Sequence, residues 1–317
     1  MRNAVHSLFF DVHGPVHVTD FGGPAGAATV VCVHGLGSSS TGWTAFAAAL
    51  IPSYRVLAVD LPGHGRTPAT GRSLSVLDAA AVLEAVLDQL GVGPVVLVGH
   101  SMGAVVSVLA AVSAPAAVDR LMLLAPPCPR EGLPIVSKDL LPHVALCLWP
   151  RLGLRALKRR LAQQTLEEYV WDRLRLTCAS VADLPHVVEA MTAELQAAYD
   201  GGEDPLASFI HAARSVGLLV AQGGRYREAL AAVQQPVQVV HGDLDRVLNP
   251  TGLQQLRALQ PRWGTHLLAE VGHSPHLEAP TVVAHLLKGH PFSPDHSASQ
   301  GALGDSLAAA CLGQESA

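Results

Sequence analysis

The run Gly99-His100-Ser101-Met102-Gly103 sets a serine between two glycines at the end of the apolar stretch 94–98. A serine hydroxyl is a weak nucleophile near neutral pH. It needs a base, and the base needs a carboxylate to orient it. Both are on offer downstream. His273 follows an apolar run in "EVGHSPHLEAP", while His276, the alternative base, is better placed to begin a helix. In "HGDLDRVLNP", Asp245 stands further out than Asp243, where a carboxylate can reach the far nitrogen of the histidine. Asp243 is held in reserve and is expected to hold the turn through its side chain. Two aspartates without a third acidic neighbour fall short of a calcium loop. No metal cluster is visible among the 16 histidines, and the chemistry requires no cofactor.

Serine between glycines becomes informative only in context. A strand before it and a helix after it make a nucleophile elbow, whose sharp reversal leaves no room for side chains at Gly99 and Gly103. The turn presents Ser101 Oγ above the sheet and puts the Met102 N–H at a helix amino end, where an oxyanion is favoured. A second donor is expected from the loop in "VCVHGLGSSSTGW", namely the N–H of Leu36, with Gly35 and Gly37 letting the backbone turn. His34 is read as a brace for that loop and His100 as part of the elbow, neither transferring protons. Cys32 is read as a core residue.

The elements that must position these groups alternate strand and helix. Strands are expected at 16–22, 28–35, the start of 54–65, 94–100, 118–126, 236–245 and 265–272. Several are continuous apolar runs, as in parallel strands covered on both faces. Helices are expected at 75–91, where Ser75 and Asp78 form a capping pair and Gly91 stops the last turn, after the elbow at 104–114, near 251–260 and near 276–288. Such βα repeats build a doubly wound α/β sheet. Between 126 and 233 the strand pattern gives way to a helical insertion, including 157–176, so the core comprises 1–125 and 234–290. The tail, 291–317, is expected to be disordered or loosely packed.

With 317 residues, 49% of them hydrophobic, the chain can bury a large core. A net charge of −5 gives nucleic-acid binding no support. Five cysteines, Cys32, Cys128, Cys147, Cys178 and Cys311, with no CxxC pair, argue against a disulfide framework or a zinc site. The first apolar run is too short for a signal peptide, and 144–150 is too short to span a bilayer, so a cytoplasmic protein is expected.

Together, "HGLG" at 34–37, "DLPGHGRT" at 60–67, "GHSMG" at 99–103 and the order Ser101, Asp245, His273 resemble the α/β-hydrolase superfamily over about residues 12–290. The match looks most like its capped esterase, haloperoxidase-like and C–C bond hydrolase branch. That resemblance implies a mostly parallel sheet with helices on both faces and a helical cap over the nucleophile. Thr67 stands where relatives often carry serine, a minor departure. Epoxide hydrolases and haloalkane dehalogenases of this fold carry an aspartate at the elbow, so Ser101 argues against both. The leading expectation is hydrolysis of an apolar ester or thioester through an acyl-enzyme on Ser101. Acyl transfer or C–C bond cleavage by the same residues is the alternative, and a non-catalytic ligand receptor is a third class. Leu133, Ile135, Leu140, Leu141, Val144 and Leu148 are expected to make the pocket apolar. The basic stretch 151–160 is read either as a carrier-protein or membrane-surface docking face or as a solvated helix face.

Overall fold

A computed structural model describes residues 5–69, 71–128 and 149–289. Its strands are β1 (His6–Asp11), β2 (Pro15–Gly22), β3 (Thr29–Val33), β4 (Arg55–Val59), β5 (Val95–His100), β6 (Val118–Leu124), β7 (Val237–Gly242) and β8 (Gly264–Leu268). They form one sheet in the order β1-β2-β4-β3-β5-β6-β7-β8. β3 to β8 run parallel, while β1 pairs antiparallel with β2 and β2 antiparallel with β4. Parallel strands share one carboxyl edge, and the loops leaving it carry the chemically interesting residues. β1 is absent from the expectations above. Its residues alternate between exposed and half-buried, so it lacks the continuous apolar run that betrays the inner strands.

The inner strands bury side chains on both faces, and the core divides accordingly. Val31, Val33, Leu57, Leu97 and Leu123 face α2 (Val76–Leu90) and α3 (Met102–Ser113). Their strand neighbours Val30, Cys32, Val56, Val98 and Met122 face α1 (Thr44–Leu50) and the carboxyl-terminal helix. Cys32 is therefore a core residue on the second face. Ser75 caps α2, its Oγ accepting from Asp78 N–H at 3.1 Å, and Gly91 ends the helix at φ 59°.

Between β6 and β7 the described chain is helical: α4 (Pro150–Leu161), α5 (Leu166–Thr177), α6 (Pro185–Asp200), α7 (Pro205–Gln222) and α8 (Gly224–Ala232). The stretch 157–176 is helical as expected, divided between α4 and α5. Thr165 opens the second with a capping box to Glu168, a stronger start signal than the continuity of polar residues across the break. After α9 (Gly252–Leu259) the expected final helix is also divided, into α10 (Pro275–Glu278) and α11 (Pro280–Gly289). Pro280 separates them, because it offers no N–H to continue α10. Leu133, Ile135, Leu140, Leu141, Val144, Leu148, Cys147, Cys311 and the tail 291–317 lie outside the described residues.

Candidate active site

Ser101 joins β5 directly to α3, with φ 52° and ψ −113°, a conformation that costs a non-glycine residue free energy. Close packing holds it there. A Cβ on Gly103 would lie 2.2 Å from Val33 O, and one on Gly99 2.5 Å from Gly103 O, so α3 can approach β3 and β5 only with glycine at both positions. Ser101 N–H donates to Leu124 O at 2.9 Å, fixing the turn to β6.

The structure brings Ser101, His273 and Asp245 together from three loops. His273 Nδ1 lies 2.8 Å from Asp245 Oδ2 and its Nε2 2.9 Å from Ser101 Oγ. A carboxylate only accepts, so Nδ1 carries the ring proton and Nε2 is free to take the serine's. Asp245 Oδ1 accepts from Val247 N–H at 2.7 Å and Leu248 N–H at 2.8 Å. Burial alone would push the Asp245 carboxyl up, but the neighbouring His273 and His241 hold it well below the usual carboxylate range. The turn-holding role expected of Asp243 belongs to Asp245. Asp243 is exposed, and its contact with the sheet is its own N–H to Leu268 O.

Several supporting residues escaped the sequence reading. His241, in β7, reaches Asp245 Oδ2 from the other side at 3.0 Å. Glu278 accepts from the N–H groups of Gly272, Ser274 and Ala179, and so shapes the loop that carries His273. His273 N–H donates to Thr177 O at 2.7 Å, and His100 Nε2–H donates to His273 O at 2.8 Å. His276 does not touch Ser101. Its ring stacks on Trp43 with centroids 4.3 Å apart, and burial pushes it down to about 3. Burial and the neighbouring imidazoles likewise lower His100.

The loop after β3 lies against the elbow: a Cβ on Gly35 would stand 2.6 Å from His100 Nδ1 and 3.3 Å from Ser101 Cβ. His34 braces it, its Nδ1–H donating to Gly35 O at 2.7 Å and its Nε2 accepting from Leu61 N–H at 3.0 Å. Asp60 ties the same loop to its neighbours, accepting from Ser40 N–H, Arg66 N–H and His17 Nδ1. Leu36 is half-buried in this loop, and Met102 opens α3, where no intrahelical acceptor exists for its N–H. Gly37, at φ +66°, faces the Arg173 guanidinium.

Beside this loop opens a cavity of about 670 Å³, lined by the loops after β3 and β4 and by α5, α6 and α7. Tyr169, Val170, Met191, Leu195, Leu206 and Phe209 give it apolar walls, and Arg66, Arg173, Glu194 and Glu203 also line it. Ser101 and His273 are not among its described lining residues. Glu194 accepts from Ser39 Oγ at 2.5 Å and from Thr41 Oγ1, and Arg173 donates to Leu36 O at 3.2 Å. The basic stretch forms α4, where Lys158 and Arg160 pair with Asp204 and Asp172. No group of three or more His, Cys, Asp or Glu among the described residues is arranged to hold a metal ion. No described helix is long and apolar enough to cross a membrane.

The family described as alpha/beta hydrolase fold matches residues 28–280. A 2-hydroxy-6-oxononadienedioate/2-hydroxy-6-oxononatrienedioate hydrolase of Klebsiella pneumoniae is 36% identical over 136 residues, 38% of this chain and 46% of that enzyme. The chain thus spans less than half the length of that relative. A hydrolase of the same name from Cupriavidus pinatubonensis is 29% identical over 279 residues, covering 83% of this chain and 86% of the enzyme. Among solved structures, the haloalkane dehalogenase DbeA of Bradyrhizobium elkani superimposes with a TM-score of 0.75 at 20% identity, over 90% of this chain and 98% of that one.

Proposed function

Because the chain belongs to the α/β-hydrolase family, we propose that it is a serine hydrolase that cleaves a carboxylic ester or thioester through an acyl-enzyme on Ser101. One observation carries this reading: the unbroken path from Ser101 Oγ to His273 Nε2 at 2.9 Å and from His273 Nδ1 to Asp245 Oδ2 at 2.8 Å. Ser101 Oγ attacks the acyl carbon as His273 Nε2 takes its proton. Asp245 stabilises the resulting imidazolium, and the N–H groups of Leu36 and Met102 hold the oxyanion. His273 returns the proton to the leaving alkoxide or thiolate, then activates the water that releases the acid. The likeness to a dehalogenase supports the fold alone, since the elbow residue here is a hydroxyl rather than a carboxylate.

A second reading, C–C bond cleavage in an acidic substrate by the same residues, draws on Arg173. Its guanidinium lines the cavity, donates to one backbone oxygen, lies over the rings of Tyr169 and Phe209, and pairs with no carboxylate of a described residue. A buried-side guanidinium with donors to spare suits a substrate carboxylate, and both named relatives act on dioates by their names.

A fluorophosphonate probe tests the nucleophile directly. The wild type is expected to be labelled and Ser101→Ala to remain unlabelled; an unlabelled wild type would sink the serine-hydrolase reading. Turnover of a vinylogous diketone in the absence of turnover of esters of graded acyl length would replace ester hydrolysis with C–C cleavage.

A further inference from the structure

Asp245 is the meeting point of two imidazoles, only one of which the proposed reaction uses. His273 Nδ1 stands 2.8 Å from Asp245 Oδ2, and His241 Nε2 stands 3.0 Å from the same oxygen. An ionised carboxylate has no proton to give, so each ring keeps a protonated nitrogen beside it: His273 Nδ1–H donates to Oδ2, and the His241 Nε2–H, which donates to Leu248 O at 3.3 Å, stands against the same Oδ2 as a close ion-pair contact. The other oxygen, Oδ1, is already taken by the N–H groups of Val247 and Leu248. Nε2 of His241 therefore cannot move against Oδ1 without displacing a backbone donor.

The rest of the His241 environment points the same way. The ring is buried in β7, with 1% of its surface exposed. Its Nε2–H donates to Leu248 O at 3.3 Å while Nε2 stands 3.0 Å from Asp245 Oδ2. Its Nδ1 has no hydrogen-bond partner among the described residues. A buried ring with a carbonyl and a carboxylate at one nitrogen, and no described partner at the other, carries its proton on the first.

We infer that His241 is a positioning residue for the proposed acid–base pair: by sharing Asp245 Oδ2 with His273, it fixes the carboxylate's orientation and moderates its pull on the base. This rests on the reading of Ser101, His273 and Asp245 given above. An N–H dipole held 3.0 Å from Oδ2 reduces the negative potential that this oxygen presents to His273. Less potential means less stabilisation of the imidazolium that forms when the serine gives up its proton. Removing the donor strengthens the remaining Asp245–His273 bond, so the acidic limb of the rate profile moves to higher pH.

The experiment compares the pH dependence of kcat/KM for the wild type with those of His241→Phe, His241→Met and His241→Gln, each first checked for cooperative thermal unfolding. Phe and Met lack the donor, and their acidic limb is expected about half a pH unit above that of the wild type. Gln places an N–H close to Nε2 and is expected to return the limb to its wild-type position. Other titratable groups face the trio. His276 is pushed down to about 3 and Cys128, which lines a small cavity with His241, is pushed up to about 12. His100 is lowered and Glu278 raised by burial, while Asp243 and Arg246 of the same loop are exposed. All of these are common to every variant, so the difference between profiles isolates residue 241.

Coincident profiles, or a limb that moves to lower pH in the Phe or Met variant, overturn the inference whatever happens to kcat. A merely structural role lowers the folded or active fraction without moving the limb. If neither donor-free variant folds, nitrogen-15 NMR of the wild type and of Asp245→Asn decides: a His241 Nε2–H signal that shifts when the Asp245 charge is removed supports the inference, and a proton on Nδ1, or an Nε2–H signal that does not respond, overturns it. That measurement needs no turnover. An enzyme without esterase activity but with the expected Nε2–H response would therefore refute the proposed reaction and leave the shared carboxylate standing.

Discussion

At the scale of residues, two atoms decide whether Ser101 can stand where it does. A Cβ at position 103 would lie 2.2 Å from Val33 O and 2.5 Å from His34 O, both backbone atoms of the strand end that begins the neighbouring loop. Neither can yield as a flexible side chain would. Gly103→Ala is therefore expected to cost about 3 kcal/mol, the upper end for overpacking, and to lower Tm by on the order of 5 °C or more. Because α3 would move away from β3, fluorophosphonate labelling should slow even in the molecules that remain folded. An unchanged Tm, measured calorimetrically, would show that the contact relaxes. These glycines were legible in the sequence because the elbow repeats a spacing imposed by backbone contact. Ser101 directly follows β5 and Asp245 stands in the loop just past β7, both apolar strands; His273 lies further out, in the loop after β8, which ends at Leu268 rather than reaching the expected 272. His241 was not legible, since it lies inside the strand run and looks like any polar interruption of it. Glu278 was equally hidden, because its partners are backbone N–H groups contributed by Gly272, Ser274 and Ala179.

At the scale of elements, the inner strands declared themselves by continuous burial and α2 by its cap, whereas the insertion gave only its helical character. Its helices carry a role that no pattern within them encodes: they hold the loops of the core. α6 presents Glu194 to Ser39 and Thr41, α5 presents Arg173 to Leu36 O, and the end of α5 receives His273 N–H. Both the loop with the proposed oxyanion donor and the loop with the proposed base are thus fastened to the insertion. The Glu194 carboxyl is pushed up by burial, although Ser39 and Thr41 oppose this. Glu194→Ala leaves those two hydroxyls without their acceptor and frees the loop to drift from its catalytic geometry. A drop in kcat of about tenfold is expected, corresponding to ~1.4 kcal/mol of lost positioning. Amide exchange over residues 35–41 should accelerate in parallel. Faster exchange with an unchanged kcat would separate the fastening from catalysis.

At the scale of the whole molecule, the cavity lies where insertion and core meet, and its charges are not equivalent. Glu194 is satisfied by two hydroxyls, Glu203 accepts from Ala69 N–H at 3.1 Å, and Arg66 donates to Ser7 Oγ at 2.6 Å. Arg66 also lies over the Phe9 ring but is exposed, whereas Arg173 is half-buried and spends itself on a carbonyl and two ring faces. If the proposed substrate reaches this guanidinium, a carboxylate gains an ion pair from the N–H groups left over, whereas a neutral group gains at most an ordinary hydrogen bond. A charge-assisted hydrogen bond contributes about 1.5–3 kcal/mol. Arg173→Gln should therefore lower kcat/KM by roughly 10-fold to 100-fold for an ester bearing a carboxylate. For the neutral ester of equal length the loss should stay within about twofold. The comparison also separates the two jobs Arg173 could do. Loss of its bond to Leu36 O would disturb the proposed oxyanion donor and slow both esters alike, so equal losses would assign Arg173 to the loop. Unequal losses would assign it to the substrate, and with it an acidic substrate to the cavity.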